Sequence, residues 1–243
     1  MMVYKYQKQK TASSHQKIAY LTFDDGPSVY TEDLLNILKE RNIPAIFFVV
    51  GRHIEEIPNS HDILKRVLAE SHHIGLHSMS HDHEKLYSRP DSPNIFVEEI
   101  QELQKQLGEI LNGYKTFHFR APYGPNQFTQ GHWEATQKAK YYSFKWNIDT
   151  RDWELQNSDE IFEHVVNSAE NLQFPETVVI VFHEYERTVK VLPAVIDYFH
   201  DKGYTFVPYK EGEQITINQH KPPTWLKAKA NAVKAKLKKI VKK

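Results

Sequence analysis

The chain has 243 residues, 40% of them hydrophobic, enough for one sizeable core with extensions and short for two enzymatic domains. It contains no cysteine, so disulfides, thiolate ligands and cysteine nucleophiles are excluded, and any metal site must draw on His, Asp or Glu. The net charge of zero hides an asymmetry: Lys221 to Lys243 holds nine lysines and no acid, leaving 22 basic against 31 acidic residues elsewhere, a body of −9 beside a tail of +9.

In chain order, short β-rich runs are predicted at Ile18 to Phe23, Ala45 to Val50, Ile74 to His77, Phe117 to Arg120, Ser143 to Asp149, Val178 to His183 and Thr205 to Pro208. Between them, Thr31 to Arg41, Ser60 to Ser71, Asn94 to Leu111, Ser158 to Leu172 and Val189 to Lys202 carry apolar residues at three- and four-residue spacings, the pattern of crossover helices. This βα repetition predicts a parallel sheet, closed as a barrel or open and doubly wound. The longest apolar run, Pro44 to Val50, is far shorter than the roughly 20 residues of a membrane-spanning helix, and no signal-peptide pattern opens the chain, which reads as soluble as given. The doubled Met1 and Met2 would suit a chain whose native leader or anchor has been removed. The paired Pro222 and Pro223 cannot continue a helix, which sets the boundary before a Lys-rich tail over 221–243; the expected domain covers 17–220, after an extension over 1–16.

The polar clusters fall at the ends of these strands. Asp24 and Asp25, in Thr22-Phe23-Asp24-Asp25-Gly26-Pro27, are adjacent carboxylates that repel unless cations or hydrogen bonds relieve them; the competing reading is a solvated turn. His77 and His81 stand four residues apart, and one helical turn after the third strand would put both on one side of a metal. With a carboxylate they make a two-His, one-carboxylate set with open positions. His72, His73 and His83 crowd the same region, so composition alone leaves the ligands open, while the spacing favours His77 and His81. Arg120 ends the fourth strand ahead of the rigid Ala121-Pro122-Tyr123-Gly124-Pro125 turn, Asp149 and Asp152 precede Trp153, and His183 ends an otherwise apolar strand. Each has a bland alternative, such as a surface ion pair or rim packing. All of them on one rim favours a barrel with a single site at its C-terminal strand ends.

Together the five segments resemble the NodB-homology polysaccharide deacetylases, carbohydrate esterase family 4, over approximately Lys17 to Lys210. The resemblance implies an α/β fold, a deformed (β/α) barrel with seven strands rather than eight. It implies one divalent metal ion, usually zinc, with cobalt or another divalent ion as alternatives, held by Asp25, His77 and His81. It further implies Asp24 as catalytic base, His183 as general acid, Asp152 as the partner tuning its pKa, and Arg120 as the residue that orients and ionises Asp24. Tyr123 would complete an oxyanion hole through its backbone N–H, with Trp153 and Val181 lining the acetyl pocket. Val181 stands where Leu is more usual, and Ala121 where Pro is.

The expected activity is hydrolytic deacetylation of N-acetylglucosamine in a bacterial cell-wall polysaccharide, peptidoglycan first, at an extracellular or cell-surface location. Alternatives with the same chemistry are N-acetylmuramic acid, chitin oligomers or acetyl-xylan. Alternatives of another class are a non-haem iron oxygenase, since two His and a carboxylate also suit iron(II), and an inactive glycan-binding module. The expected partner is an N-acetylated glycan, with no nucleic acid and a monomeric state. In the tail, Leu226, Ala230, Val233, Leu237, Ile240 and Val241 recur at helical spacing among the lysines, predicting a basic amphipathic helix for an anionic membrane or wall polymer.

Overall fold

The computed structural model describes residues 16–211. The expected tail over 221–243, and all but the last residue of the 1–16 extension, lie outside the described residues. Among the described residues, eight parallel strands form one sheet: β1 Lys17–Gly26, β2 Ala45–Val49, β3 His73–Leu76, β4 His118–Phe119, β5 Tyr142–Ser143, β6 Ile148–Asp149, β7 Thr177–His183 and β8 Tyr204–Phe206. The order β5-β4-β3-β2-β1-β7-β6 is a curled parallel sheet, the deformed barrel that the sequence suggests. β8 pairs with Lys17–Ala19 of β1. Because β7 takes one edge of β1 from Ile18 to Asp24, β8 must share the edge that β2 occupies from Leu21 onward.

The predicted run Ser143 to Asp149 is not one strand. Phe144 N–H donates to Phe119 O at 2.7 Å and Asn147 N–H to Val179 O at 3.1 Å, so the chain leaves β4 and crosses to β7 within four residues. The single expected strand becomes β5 and β6, which raises the count to eight.

Among the described residues, seven α-helices pack around the sheet: α1 Thr31–Glu40, α2 Gly51–Glu56, α3 Ser60–Ala69, α4 Ser92–Ile110, α5 Gln130–Lys138, α6 Ser158–Asn171 and α7 Glu186–Asp201. α1 buries Leu34, Leu35 and Leu38, with acids in its first turn and Lys39 in its last, as the helix dipole favours. In α6 the Asn157 side chain accepts the Asp159 N–H and caps the first turn.

Strand side chains alternate between faces, and that alternation builds the site. On β1, Ala19, Leu21 and Phe23 join the large cluster beneath the helices, while Tyr20 joins a second, inner cluster with Ile46, Phe48, Phe144, Val179 and Tyr209. Continuing the inner face upward from Tyr20 gives Thr22 and Asp24 on β1, and from Val179 gives Val181 and His183 on β7. A polar rim is thereby set on an apolar plug. Gly75 belongs to the plug by necessity, since a Cβ there would lie 2.3 Å from the Phe48 ring.

At the opposite end, Glu211 clasps the chain to the barrel. Its carboxylate meets His73 Nε2 at 3.2 Å and His118 Nδ1 at 2.9 Å and accepts the Phe117 N–H at 3.0 Å. Burial pushes this carboxyl up, but the hydrogen bonds from His118, His73 and Phe117 outweigh it and hold the group well below its ordinary value. A depressed folded pKa stabilises above the unfolded value of about 4.5 and loses that contribution as pH falls through the folded value. Glu211→Gln should therefore melt lower than wild type at pH 7, with the difference narrowing below about pH 4.5. Thermal melts at both pH values check this, and a gap that does not change with pH would contradict the clasp.

Candidate active site

Asp24 points inward from β1, but in a regular strand Asp25 would point outward. The register with β2 slips here: Asp24 faces Phe48 and Gly26 faces Val49, so Asp25 is an extra, bulged residue with φ of 66°. The bulge turns the second carboxylate to the same rim. His53 Nδ1, on α2, stands 2.7 Å from the Asp25 carbonyl and fixes the turn.

Asp25 Oδ1 lies 3.2 Å from His77 Nε2 and 3.1 Å from His81 Nε2. His77 follows β3, its N–H held by Val49 O at 2.9 Å. Its Nδ1 is 2.8 Å from the Arg120 carbonyl, an acceptor only, which assigns the proton to Nδ1 and leaves the Nε2 lone pair facing Asp25. The predicted helical turn between the two histidines is absent. Residues 77–82 form a loop in which Ser78 and His81 have φ of 69° and 51°, so the two rings converge through left-handed backbone rather than helical spacing. The other histidines stand elsewhere: His72 accepts the Ala45 N–H at 3.0 Å, with burial lowering its pKa to about 4, His73 belongs to the Glu211 clasp, and His83 is exposed beside Gln127.

Arg120 is fully inside the barrel, 1% exposed. Its Nη1 donates to Asp24 Oδ1 at 2.6 Å and Thr22 Oγ1 at 2.8 Å, Nε donates to Phe144 O at 3.2 Å, and the guanidinium sits 4.3 Å from the Phe48 ring centre. It is not the surface ion pair of the bland reading. Removing either partner would strand the other as an unpaired buried charge.

Asp24 and His183 are register partners across β1 and β7. His183 Nδ1 is 2.8 Å from Asp152 Oδ1, while Asp152 Oδ2 accepts the His183 N–H and the Thr188 hydroxyl, each at 2.7 Å. Burial pulls the His183 imidazole down, but the Asp152 hydrogen bond and charge, with Asp24 and Asp25 beyond, more than reverse this and raise it to about 9. Tyr123, with φ of 60°, packs its ring 4.7 Å from His81 and donates its hydroxyl to His81 O at 3.0 Å. Val181 is buried on the inner face below His183, and Trp153 stands half exposed on the loop after Asp152. The ten residues singled out in the sequence thus fall at one end of the sheet. Sequence reasoning missed Thr22, Thr188 and His53, whose hydrogen bonds to Arg120, Asp152 and Asp25 leave no spacing or compositional signal, and Glu99, which bonds Met79 and Ser80 in the loop between the two histidines.

Among the described residues, Asp25, His77 and His81 are the one cluster of three His or acidic donors close enough to hold a metal ion. The donor chemistry fits: an oriented imidazole and a carboxylate oxygen, Asp25 Oδ1, that is buried without a hydrogen-bond partner.

Residues 11–144 match the polysaccharide deacetylase family. The chain is 32% identical over 226 residues to a peptidoglycan-N-acetylglucosamine deacetylase of Bacillus cereus, covering 88% of this chain and 79% of that one. It is 28% identical over 200 residues to a chitooligosaccharide deacetylase of Sinorhizobium fredii, covering 76% and 86%. The crystal structure of the polysaccharide deacetylase Bc1974 from Bacillus cereus superposes with a TM-score of 0.74 at 31% identity, covering 85% of this chain and 98% of that one. The chain belongs to the polysaccharide deacetylase family, a class of hydrolases.

Proposed function

We propose that this chain hydrolyses the N-acetyl group of N-acetylglucosamine residues in peptidoglycan, releasing acetate and leaving a free amine on the glycan. The observation that carries the reading is the juxtaposition of Asp24, charge-paired to Arg120, with His183, charge-paired to Asp152, on neighbouring strands beside three convergent metal-type donors. The named activity of the Bacillus cereus relative supports the choice of glycan, and the basic tail suits an anionic envelope.

Asp25, His77 and His81 would hold a divalent cation, for which zinc is proposed. When bound, it supplies Lewis acidity, polarising the acetamide carbonyl and acidifying water. The remaining roles belong to the chain. Asp24, oriented by Arg120, accepts a proton as water oxygen bonds to the carbonyl carbon. The Tyr123 N–H, which meets no acceptor among the described residues, faces the developing oxyanion. His183, protonated at neutral pH, donates to the glycan nitrogen as the C–N bond breaks. Val181 and Trp153 border the acetyl methyl.

The deciding experiment is acetate release from chitin oligomers, peptidoglycan fragments and acetyl-xylan in parallel, with mass spectrometry locating the deacetylated sugar. Release from none of them, by protein containing stoichiometric metal, would exclude the activity. An iron oxygenase has no use for Asp24 and His183 as an acid–base pair and would consume oxygen instead. A binding module would bind glycan without acetate release.

No helix among the described residues is long and apolar enough to cross a membrane. We place the protein at the bacterial cell surface, with the nine-lysine tail contributing salt-sensitive attraction to anionic polymer or lipid. A chain ending at Gln219 should keep its rate on soluble oligosaccharides and lose salt-sensitive binding to intact walls or anionic vesicles. Equal binding by both chains would refute the tethering.

A further inference from the structure

We infer that Glu99, on α4 and outside the catalytic set, is a positioning residue that braces the loop carrying His81 before any metal arrives; the inference rests on reading Asp25, His77 and His81 as a cation site. Between the two histidines the backbone adopts left-handed conformations at Ser78 and His81, which L residues hold only when their surroundings over-determine them. Glu99 supplies that constraint. Its side chain is 3% exposed, and Oε2 accepts the Met79 N–H at 3.1 Å and the Ser80 N–H at 3.0 Å. The Ser80 hydroxyl donates across both oxygens, at 2.8 and 2.9 Å, and Lys85 Nζ neutralises Oε1 at 2.7 Å.

This arrangement calls for a carboxylate. Two backbone N–H groups, a hydroxyl and an ammonium converge on it, all of them donors, and only an ionised acid offers acceptors on both branches. A glutamine would turn an NH2 group toward one set of donors. The brace also reaches the other wall of the site. Lys85 lies on the short π-helical segment Glu84–Ser88, whose Tyr87 donates its hydroxyl to the Pro122 carbonyl at 2.9 Å, next to Tyr123. One buried carboxylate thus links the histidine loop to the turn proposed to face the oxyanion.

The test is metal binding rather than turnover. Glu99→Gln should weaken zinc and cobalt binding by about 10- to 100-fold, the usual effect of removing a partner that orients ligands, and should change the visible absorption spectrum of the cobalt form. Glu99→Asp, with its charge retained one methylene short, should fall between Gln and wild type. Wild-type affinity with an unchanged cobalt spectrum in either folded variant would overturn the proposal. Metal-free wild-type protein supplies a test that needs no variant: the Met79 and Ser80 amides should exchange slowly with solvent, and rapid exchange that slows only on adding metal would show that the cation, not Glu99, orders the loop. Failure of wild type to bind metal at all would instead remove the cation site itself, a separate outcome.

Discussion

Stripping the divalent cation should reduce acetate release to background while the barrel stays folded, and adding zinc or cobalt back should restore it. Loss of rate is expected because Asp25, His77 and His81 are the one set of three His or acidic donors close enough together to hold a metal ion among the described residues. Retention of fold is expected because each ligand is also fixed by the protein: Asp25 through its carbonyl to His53, His77 through Val49 and Arg120, and His81 through its N–H to Ser78 Oγ at 3.0 Å. The core beneath consists of strand residues such as Leu21, Phe47 and Ile180, all 1% exposed or less, and involves none of the three ligands. Thermal melts and acetate assays on one chelated sample, verified metal-free by elemental analysis, check both halves. Undiminished turnover in that sample would sink the metal assignment, and collapse of the melt would make the cation a structural element. Asp25→Ala should reproduce the chelated state irreversibly.

What could be read from the sequence was whatever follows from periodicity. Continuous apolar runs such as Ala45 to Val49 marked strands buried on both faces, and the acids and histidines at their ends marked one rim. Period-two alternation carries Asp24 and His183 to the inner face once a barrel is assumed. Asp25 breaks that alternation through a bulge, which no residue count foretells. The four-residue spacing of His77 and His81 was informative for a reason other than its geometry, since a left-handed loop rather than a helix brings the rings together. α5 leaves no apolar periodicity in the sequence because Gln130 to Lys138 is largely polar, and its buried His132 bonds to Leu86 O rather than joining an apolar stripe. Glu99, Thr188 and Glu211 act through long-range hydrogen bonds, 19, 36 and 93 residues from their partners Ser80, Asp152 and His118. Amphipathic patterns reveal which face of a helix is buried; they do not reveal which carboxylate a distant loop will need.

The base and the acid should separate by mutation. Asp24→Asn removes the proposed proton acceptor and His183→Ala the proposed donor to the leaving amine, and neither alters a proposed metal-ligand side chain. Each should lose at least about 100-fold in kcat with metal content unchanged. If either folded variant kept near-full rate, the role given to that residue would be wrong. The pH profile then tests how the acid is tuned. With His183 as the proposed general acid, imidazolium is the working form, so rate should fall as pH rises through the upper limb, which belongs to the coupled site rather than to one residue. His183 stands at about 9 because Asp152 and the neighbouring acids outweigh its burial, and a cation on Asp25 offsets part of that, so the limb of the loaded enzyme should lie at or below this value. Asp152→Asn keeps the shape while deleting the largest upward influence. The alkaline limb of kcat/KM should then move to lower pH by about one unit or more, the scale of a lost opposite charge in contact. The same sign governs folding: a raised His183 stabilises fully below its unfolded value of about 6.5 and loses that contribution as pH rises through about 9. Wild type should therefore lose melting temperature between those pH values more steeply than Asp152→Asn. A limb that stays in place in a folded Asp152→Asn enzyme would remove Asp152 as the group that keeps His183 protonated.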